Sequence, residues 1–396
     1  MSINLIYIGQ CFKFSRLVLG IAVLAVCVPA IQIQAAGAPD ETVSWTIMNP
    51  ITSPDPRFTQ GLVYDSMQSR FIMHGGFADL EALNETWSYD PGSNLWTNLF
   101  PDPHPWAFRG SAFAYDSHAQ RSLLFGTGAL YYAPGVNETW AYDSALNAWT
   151  NLSSSNAPSA RFLCSMVYDV QSDKMILFGG VRYEGAYAFV YNQTYSFDYD
   201  TNNWTDMSPV YSPAARYSHS LVYDTLSDRV ILFGGFWEHP MKLQPDIWFN
   251  DTWTYDYDSN TWTNVTPTAG PSARMSAAAT YDPLADRMVM FGGRNPTDLF
   301  DDTWAYDYDG NQWIEQTSLA IPEARNGAGM AYAETAGEIV MFGGIGIGYV
   351  VLGDTWSYQG TEVIPEFTEV IVPVLATMSV VVVGLRLAKE RDHGSC

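Results

Sequence analysis

Six arginines recur along the chain, and their chemistry suits the binding of an anion. Consecutive members lie about 50 residues apart, a period typical of repeat proteins. The set is Arg57, Arg109, Arg161, Arg216, Arg274 and Arg325. A guanidinium group presents planar donors that match carboxylates and phosphates. A fold that gathered these residues around one mouth would therefore form an anion-binding ring. The alternative is that each arginine ties neighbouring repeats together through backbone carbonyls.

Three acidic segments and four histidines could hold a metal ion. Asp198, Asp256 and Asp307 each open an Asp-x-Asp-x-Asn sequence, like the start of a calcium loop. The closing glutamate of such a loop is missing in all three, which favours hairpin turns. The histidines come in two pairs from repeats three apart, so one four-histidine site is not expected. They are His74, His104, His219 and His239. The sequence predicts no metal site and no other cofactor.

Each of the six arginines lies at the same place in a repeated sequence motif. In the fourth copy, Arg216 is followed by Gly234-Gly235 and then by Asp251-Thr252-Trp253. Six copies with four strand-like segments each, named a to d from the inside outwards, are typical of propeller blades. The sixth copy lacks segment d, and Ser44-Trp45-Thr46 matches that segment. We therefore predict an all-β, six-bladed β-propeller over residues 39–360, with its last blade closed by the N-terminal strand.

The same residues resemble the kelch-repeat family over residues 41–358. The match rests on Arg216-Tyr217-Ser218-His219, Gly234-Gly235, Asp251 to Asp256 and Trp262, with their counterparts in the other copies. The resemblance implies a propeller like the central domain of galactose oxidase. It does not choose among protein-binding modules, carbohydrate binders and sugar-acting enzymes. The copper-dependent oxidases of this fold need a cysteine linked to a tyrosine. Cys164 is the only cysteine in the repeats and has no matching ligand pattern.

The two ends of the chain predict export and anchoring. Residues 1–38 have basic residues before an apolar run, as in a signal peptide, although an uncleaved anchor is the alternative. Residues 361–369 form a linker, in which Ile364-Pro365-Glu366-Phe367 resembles a sorting motif of archaeal surface proteins. Residues 370–387 are predicted to span the membrane, and the basic tail 388–396 to stay in the cytoplasm. The repeats would then lie on the extracellular side of the cell surface.

Glycosylation sequons and net charge agree with that location. The candidate asparagines are Asn84, Asn137, Asn151, Asn192, Asn203, Asn250 and Asn264. Several could instead be turn residues of the repeat. The formal net charge of −23 argues against a nucleic-acid partner.

The two longest b–c loops, in blades 3 and 4, are the candidate ligand-binding surface. Function concentrates in loops that a rigid scaffold positions. The residues selected are Arg182, Tyr183, Tyr187, Trp237, His239, Lys242 and Trp248. Tyr183, Tyr187, Trp237 and Trp248 are expected to carry most of the recognition, unless their rings pack only on each other. Because blades 3 and 4 are neighbours, their loops should lie side by side.

These observations predict a secreted, membrane-anchored binding or scaffold module. Its partner would be an extracellular protein or a carbohydrate. The alternative is a sugar-acting enzyme with its site in the central mouth, on the face that carries the d–a and b–c loops.

Overall fold

The computed structural model describes residues 43–78, 81–106, 110–127, 136–185, 187–241, 244–318 and 320–360. These residues form six four-stranded antiparallel sheets. The innermost strands contact one another in sequence order, and that of blade 6 contacts that of blade 1. The prediction of an all-β, six-bladed propeller is therefore confirmed.

The strand bounds repeat from blade to blade. Strand a is Gly61–Asp65, Ala112–Asp116, Ser165–Asp169, Ser220–Asp224, Ala278–Asp282 and Gly329–Ala333 in blades 1 to 6. Strand b is Arg70–His74, Arg121–Thr127, Lys174–Phe178, Arg229–Phe233, Arg287–Phe291 and Glu338–Ile345. Strand c is Thr86–Asp90, Val136–Asp143, Thr194–Asp198, Thr252–Asp256, Thr303–Asp307 and Val351–Gly360. Strand d is Leu95–Asn98, Ala148–Asn151, Asn203–Asp206, Thr261–Asn264, Gln312–Gln316 and, from the N-terminus, Val43–Ile47.

Additional short elements lie in the b–c loops. Hairpins form in blades 1, 3 and 4, and one 3₁₀ turn forms in blade 6. Their bounds are Phe77–Ala78 with Glu81–Ala82, Val181–Glu184 with Tyr187–Val190, Phe236–Trp237 with Ile247–Trp248, and Ile347–Tyr349.

Aspartate and asparagine side chains build the tight turns. In blade 4, Asp224 Oδ1 accepts hydrogen bonds from the amides of Leu226 and Ser227, which closes the a–b turn. At the c–d turn, the Tyr255 hydroxyl donates to Asn260 Oδ1 over 2.8 Å, and Asn260 has a φ of 49°. Asparagine tolerates this left-handed conformation better than most residues. The structure thus places the Asp-x-Asp-x-Asn segments in hairpin turns.

The N-terminal strand closes the ring, as predicted. It pairs antiparallel with strand c of blade 6, with Trp45 opposite Tyr358. Each strand-d tryptophan donates its indole N–H to a buried threonine in strand c of the preceding blade. The pairs are Trp96–Thr355, Trp149–Thr86, Trp204–Thr139, Trp262–Thr194, Trp313–Thr252 and Trp45–Thr303, at 2.9 to 3.0 Å. Trp45 therefore completes a circle of six equivalent contacts between blades.

Aromatic stacking fills the space between blades. Trp262 packs between Tyr255 of its own blade and Phe178 of the preceding blade, with both ring centroids 5.0 Å away. In blade 1, His74 takes the place of that phenylalanine and lies 4.8 Å from Trp149. Burial lowers the pKa of His74 to about 3, so its imidazole is neutral at physiological pH.

Candidate functional site

The structure places the repeated arginines inside the blades. Arg57, Arg161, Arg216, Arg274 and Arg325 are 0 to 1% exposed, and Arg109 lies outside the described residues. Arg216 donates to the Gly234 carbonyl and forms a two-point contact with Asp251 at 2.6 and 2.9 Å. The Phe249 ring lies 3.9 Å from its guanidinium carbon. These donors are occupied within their own blade and are not presented to a ligand at the mouth.

The arginine backbone, rather than its side chain, reaches the neighbouring blade. The carbonyl of Arg216 accepts a hydrogen bond from the amide of Gly180 in blade 3 over 2.9 Å. A Cβ on the adjacent Gly179, whose φ is 70°, would lie 2.5 Å from that carbonyl oxygen. The glycine pair is therefore required by close approach of two backbones as well as by positive φ. The predicted tie between neighbouring repeats is thus not made by the guanidinium, which donates to a carbonyl of its own blade. The contact between blades is made by the backbone carbonyl of Arg216.

Blade 3 departs from this arrangement. The acid before the Thr-Trp segment is replaced by Gln193, whose Oε1 accepts from Arg161 over 2.8 Å. In blades 1, 4, 5 and 6 a carboxylate accepts from the arginine and also from the tryptophan two residues later, as Asp251 does from Trp253. Blade 3 has Tyr195 at the tryptophan position, so that second donor is absent as well. Burial lowers the pKa of Arg161, whose contacts to Gln193 carry no compensating charge.

The b–c loops of blades 3 and 4 form two hairpins that are fastened to each other. The Tyr183 hydroxyl of blade 3 donates to Glu238 Oε2 of blade 4 over 2.6 Å, and the Tyr217 hydroxyl donates to the same oxygen over 3.1 Å. Beneath them lies an apolar cluster that includes Val181 and Phe236, which are 0% and 8% exposed. A packed base and a shared carboxylate hold the hairpins together, as their neighbouring positions predict.

The outer surface of the hairpins is apolar and accessible. Tyr187 and Phe189 of blade 3 are 53% and 41% exposed, because alternate residues of a strand point to the same side. Met241 and Ile247 of blade 4 are 57% and 47% exposed. Neither Met241 nor Ile247 belongs to the set predicted from the sequence, which consists of aromatic and basic residues. Ile247 precedes the partly buried Trp248 in a two-residue strand, and the two side chains point to opposite sides.

The selected residues divide between support and surface. Tyr183 and Trp248 are partly buried against the base of the hairpins. Trp237 is half-buried and lies 5.5 Å from the ring of His239. Arg182 pairs with Glu184 over 2.6 Å. Lys242 lies outside the described residues. Tyr187 is therefore the residue of this set that is both aromatic and more than half exposed.

A cavity of about 310 Å³ lies on the axis of the ring. It is lined by strand a and by the first residue of several a–b turns, so it lies towards the face opposite the hairpins. Its most regular feature is a ring of tyrosines from all six blades. They are Tyr64, Tyr115, Tyr168, Tyr223, Tyr281 and Tyr332. Burial raises the pKa of Tyr332 to about 12 and raises the pKa of Tyr168 and Tyr223 further, so these hydroxyls stay protonated.

The seven sequon asparagines are all exposed. Four of them lie at or just before the start of strand c, where the threonine two residues later accepts the tryptophan N–H between blades. Thr86, Thr139, Thr194 and Thr252 have this role and are 0 to 1% exposed. The contact between blades therefore accounts for the presence of a threonine in these four sequons. It does not involve the asparagine side chains, which are exposed to solvent.

The predicted terminal segments fall outside the described residues. These are the signal peptide 1–38, the linker 361–369, the membrane segment 370–387 and the tail 388–396. Within the described part of the chain, no helix is long and apolar enough to cross a membrane.

The comparisons with known proteins agree with the fold. The KLHDC2/KLHL20/DRC7 Kelch-repeats domain model matches residues 40–235 and 172–364. Similar relatives include the mouse multiple epidermal growth factor-like domains protein 8, which is 23% identical over 59% of this chain and 8% of the relative. An F-box/kelch-repeat protein of Arabidopsis thaliana is 30% identical over 38% of this chain and 32% of the relative. The N-(sulfonatooxy)prop-2-enimidothioate sulfolyase of Thlaspi arvense is 30% identical over 34% of this chain and 37% of the relative. The chain thus spans well under two thirds of the length of these relatives.

Proposed function

Because the chain belongs to the kelch-repeat family of β-propellers, we propose that it is an extracellular scaffold that binds a protein ligand. Kelch propellers generally mediate protein interactions, although the fold alone does not fix the partner. The observation that carries the proposal is the pair of hairpins in blades 3 and 4. The bond from Tyr183 to Glu238 fastens them together, and they expose apolar residues on a packed base.

A rigid base favours binding because little conformational entropy is lost when a partner docks. The hairpins have such a base in Val181 and Phe236, both of which are buried. On the outer side, Tyr187 and Phe189 offer aromatic contact area with few rotatable bonds. The Arg182–Glu184 pair borders them and supplies polar groups at the edge. This combination of an apolar centre and a charged rim is typical of a protein-binding surface.

Removal of the exposed rings should weaken recognition without affecting the fold. The probe is a peptide selected from a random display library against the immobilised full chain. Tyr187→Ala combined with Phe189→Ala should weaken binding of that peptide by about 2 kcal/mol, or roughly 30-fold, as for a central aromatic contact. Fluorescence polarisation would measure the affinity.

The matched control is Tyr349→Ala. Tyr349 lies in the corresponding loop of blade 6 and is 83% exposed. Its loss should leave peptide binding unchanged. If the double variant and Tyr349→Ala weaken binding equally, or if neither weakens it, the hairpins are not the binding surface. Binding of a sugar on a glycan array, lost in the same double variant, would replace the protein ligand with a carbohydrate.

The extracellular location rests on the sequence of the two ends and on the exposed sequon asparagines. The positive residues that follow residues 370–387 favour a cytoplasmic tail. Protease added to intact cells should therefore release a fragment recognised by an antibody against the propeller, while an epitope at Cys396 stays with the cells. Release of the tail epitope with a protected propeller would reverse the orientation.

A further inference from the structure

One cluster of metal-ligating side chains lies away from the hairpins, at the boundary between blades 2 and 3. His118 comes from the a–b turn of blade 2, Asp173 from the a–b turn of blade 3 and Asp200 from the c–d turn of blade 3. One ligand atom from each residue lies within 4.8 Å of those of the other two. The cluster opens to solvent, because His118 and Asp200 are exposed.

The spacing of the first two ligand atoms already fits a single ion. His118 Nδ1 lies 3.1 Å from Asp173 Oδ2. Two ligands that bind tetrahedral Zn²⁺ at about 2.0–2.1 Å are separated by about 3.3 Å. The Asp200 oxygen lies at most 4.8 Å from the other two ligand atoms. It would have to move by at most about 1.5 Å to reach the separation of about 3.3 Å, and an exposed carboxylate can do this by changing rotamer.

Neighbouring groups orient Asp173 so that its second oxygen faces His118. The Tyr168 hydroxyl donates to Asp173 Oδ1 over 2.7 Å, so Oδ2 faces the histidine. Such a hydrogen bond from behind the ligand is typical of metal carboxylates. The adjacent cation, Lys174, binds Asp198 at 3.2 Å.

The corresponding turns of blade 4 show what is special about this boundary. Asp228 and Asp258 occupy the positions of Asp173 and Asp200, and the Tyr223 hydroxyl donates to Asp228 Oδ1 over 2.9 Å. The residue that corresponds to His118 is Gln171. Its backbone lies beside the Tyr223 hydroxyl, just as the backbone of His118 lies beside that of Tyr168. The two boundaries thus share the carboxylates, and only the first provides an imidazole.

From this arrangement we propose that His118, Asp173 and Asp200 bind one Zn²⁺ ion across the boundary between blades 2 and 3. One imidazole and two carboxylates are a ligand set that zinc accepts, whereas calcium and magnesium prefer oxygen ligands alone. Three protein ligands leave the fourth tetrahedral position for water or for a donor group from a partner. The site is independent of the hairpins and lies on the opposite face of the ring.

Calorimetric titration of the chelator-treated full chain with ZnCl₂ tests the proposal. The unmodified chain should bind zinc saturably. His118→Gln and Asp200→Asn should each weaken the site by at least about 10-fold, since substitutions that touch a metal site cost about this much or more. Asp258→Asn, the matched change in blade 4, should leave the titration unchanged.

A gain-of-site variant supplies the complementary result. Gln171→His places an imidazole beside Asp228 and Asp258, so it should add one equivalent of zinc per chain. Three results would overturn the assignment. They are the absence of saturable zinc binding, zinc binding that His118→Gln leaves intact, and equal losses from Asp200→Asn and Asp258→Asn.

Discussion

Replacement of Trp45 by alanine is expected to lower the free energy of unfolding by about 3–5 kcal/mol. The side chain is 1% exposed and packs against Phe291 and Tyr358, with ring centroids 5.1 and 4.9 Å away. Its indole N–H also donates to Thr303 over 2.9 Å. Truncation therefore leaves a cavity and removes a buried hydrogen bond that joins blades 5 and 6. Equilibrium unfolding in urea measures the change.

Two tryptophan variants serve as references for Trp45→Ala. Trp96 occupies the equivalent place in blade 1 and is also 1% exposed, so Trp96→Ala should cost about as much. Trp106 is 78% exposed, and Trp106→Ala should change little. If Trp45→Ala behaves like Trp106→Ala, the N-terminal strand does not close the ring in solution. Deletion of Val43–Ile47 would additionally expose the backbone edge of strand c in blade 6.

Replacement of Asp251 by alanine should be similarly damaging, at about 3–5 kcal/mol. Asp251 is the carboxylate partner of Arg216, whose side chain is 0% exposed, and it also accepts the indole N–H of Trp253 over 2.7 Å. Its removal leaves the buried guanidinium of Arg216 without a counter-charge. Breaking a buried ion pair in this way costs more free energy than the intact Arg216–Asp251 pair contributes to stability. Thermal and urea unfolding of the variant would measure the loss.

Blade 3 provides the reverse test of the same contact. Gln193→Glu would give Arg161 the carboxylate that Arg216 already has, and should stabilise the protein, because hydrogen bonds between charged groups are the stronger ones. Asp298→Ala is the control for Asp251→Ala. Because Asp298 is exposed, its replacement should have little effect on the free energy of unfolding. A stable Asp251→Ala variant, together with a destabilised Gln193→Glu variant, would contradict the role assigned to the arginines.

The repeat made the fold predictable because each blade uses the same contacts. The Trp-to-Thr bond recurs in all six copies, and the glycine pair and the aspartate of the a–b turn each recur in five, so several weak signals reinforce one another. The recurrence also indicated that Trp45 belongs to the sixth blade. In the structure it contacts Thr303 of blade 5, which is 258 residues away in the sequence. Where one copy departs, as with His74 in place of phenylalanine, the neighbouring blades still fix the backbone and the substitute adapts to it.

The candidate binding surface was only partly predictable, because it depends on side-chain direction within unique loops. The length of the blade 3 and 4 loops identified the region. It did not reveal that Tyr183 turns inwards to Glu238 while Tyr187 and Phe189 turn outwards. For the arginines, the sequence pattern was clear but their contacts could not be predicted from it. Their spacing indicated a ring, whereas the acid that satisfies Arg216 lies 35 residues later and is recognisable only once the blade is folded.

Amide hydrogen exchange with and without the selected peptide tests the binding role of the paired hairpins most directly. Slower exchange is expected in the two hairpins, Val181–Glu184 with Tyr187–Val190 and Phe236–Trp237 with Ile247–Trp248. The a–b turns on the opposite face should exchange at unchanged rates. Protection confined to those turns, with the hairpins unaffected, would contradict the account and move the ligand to the other face of the ring.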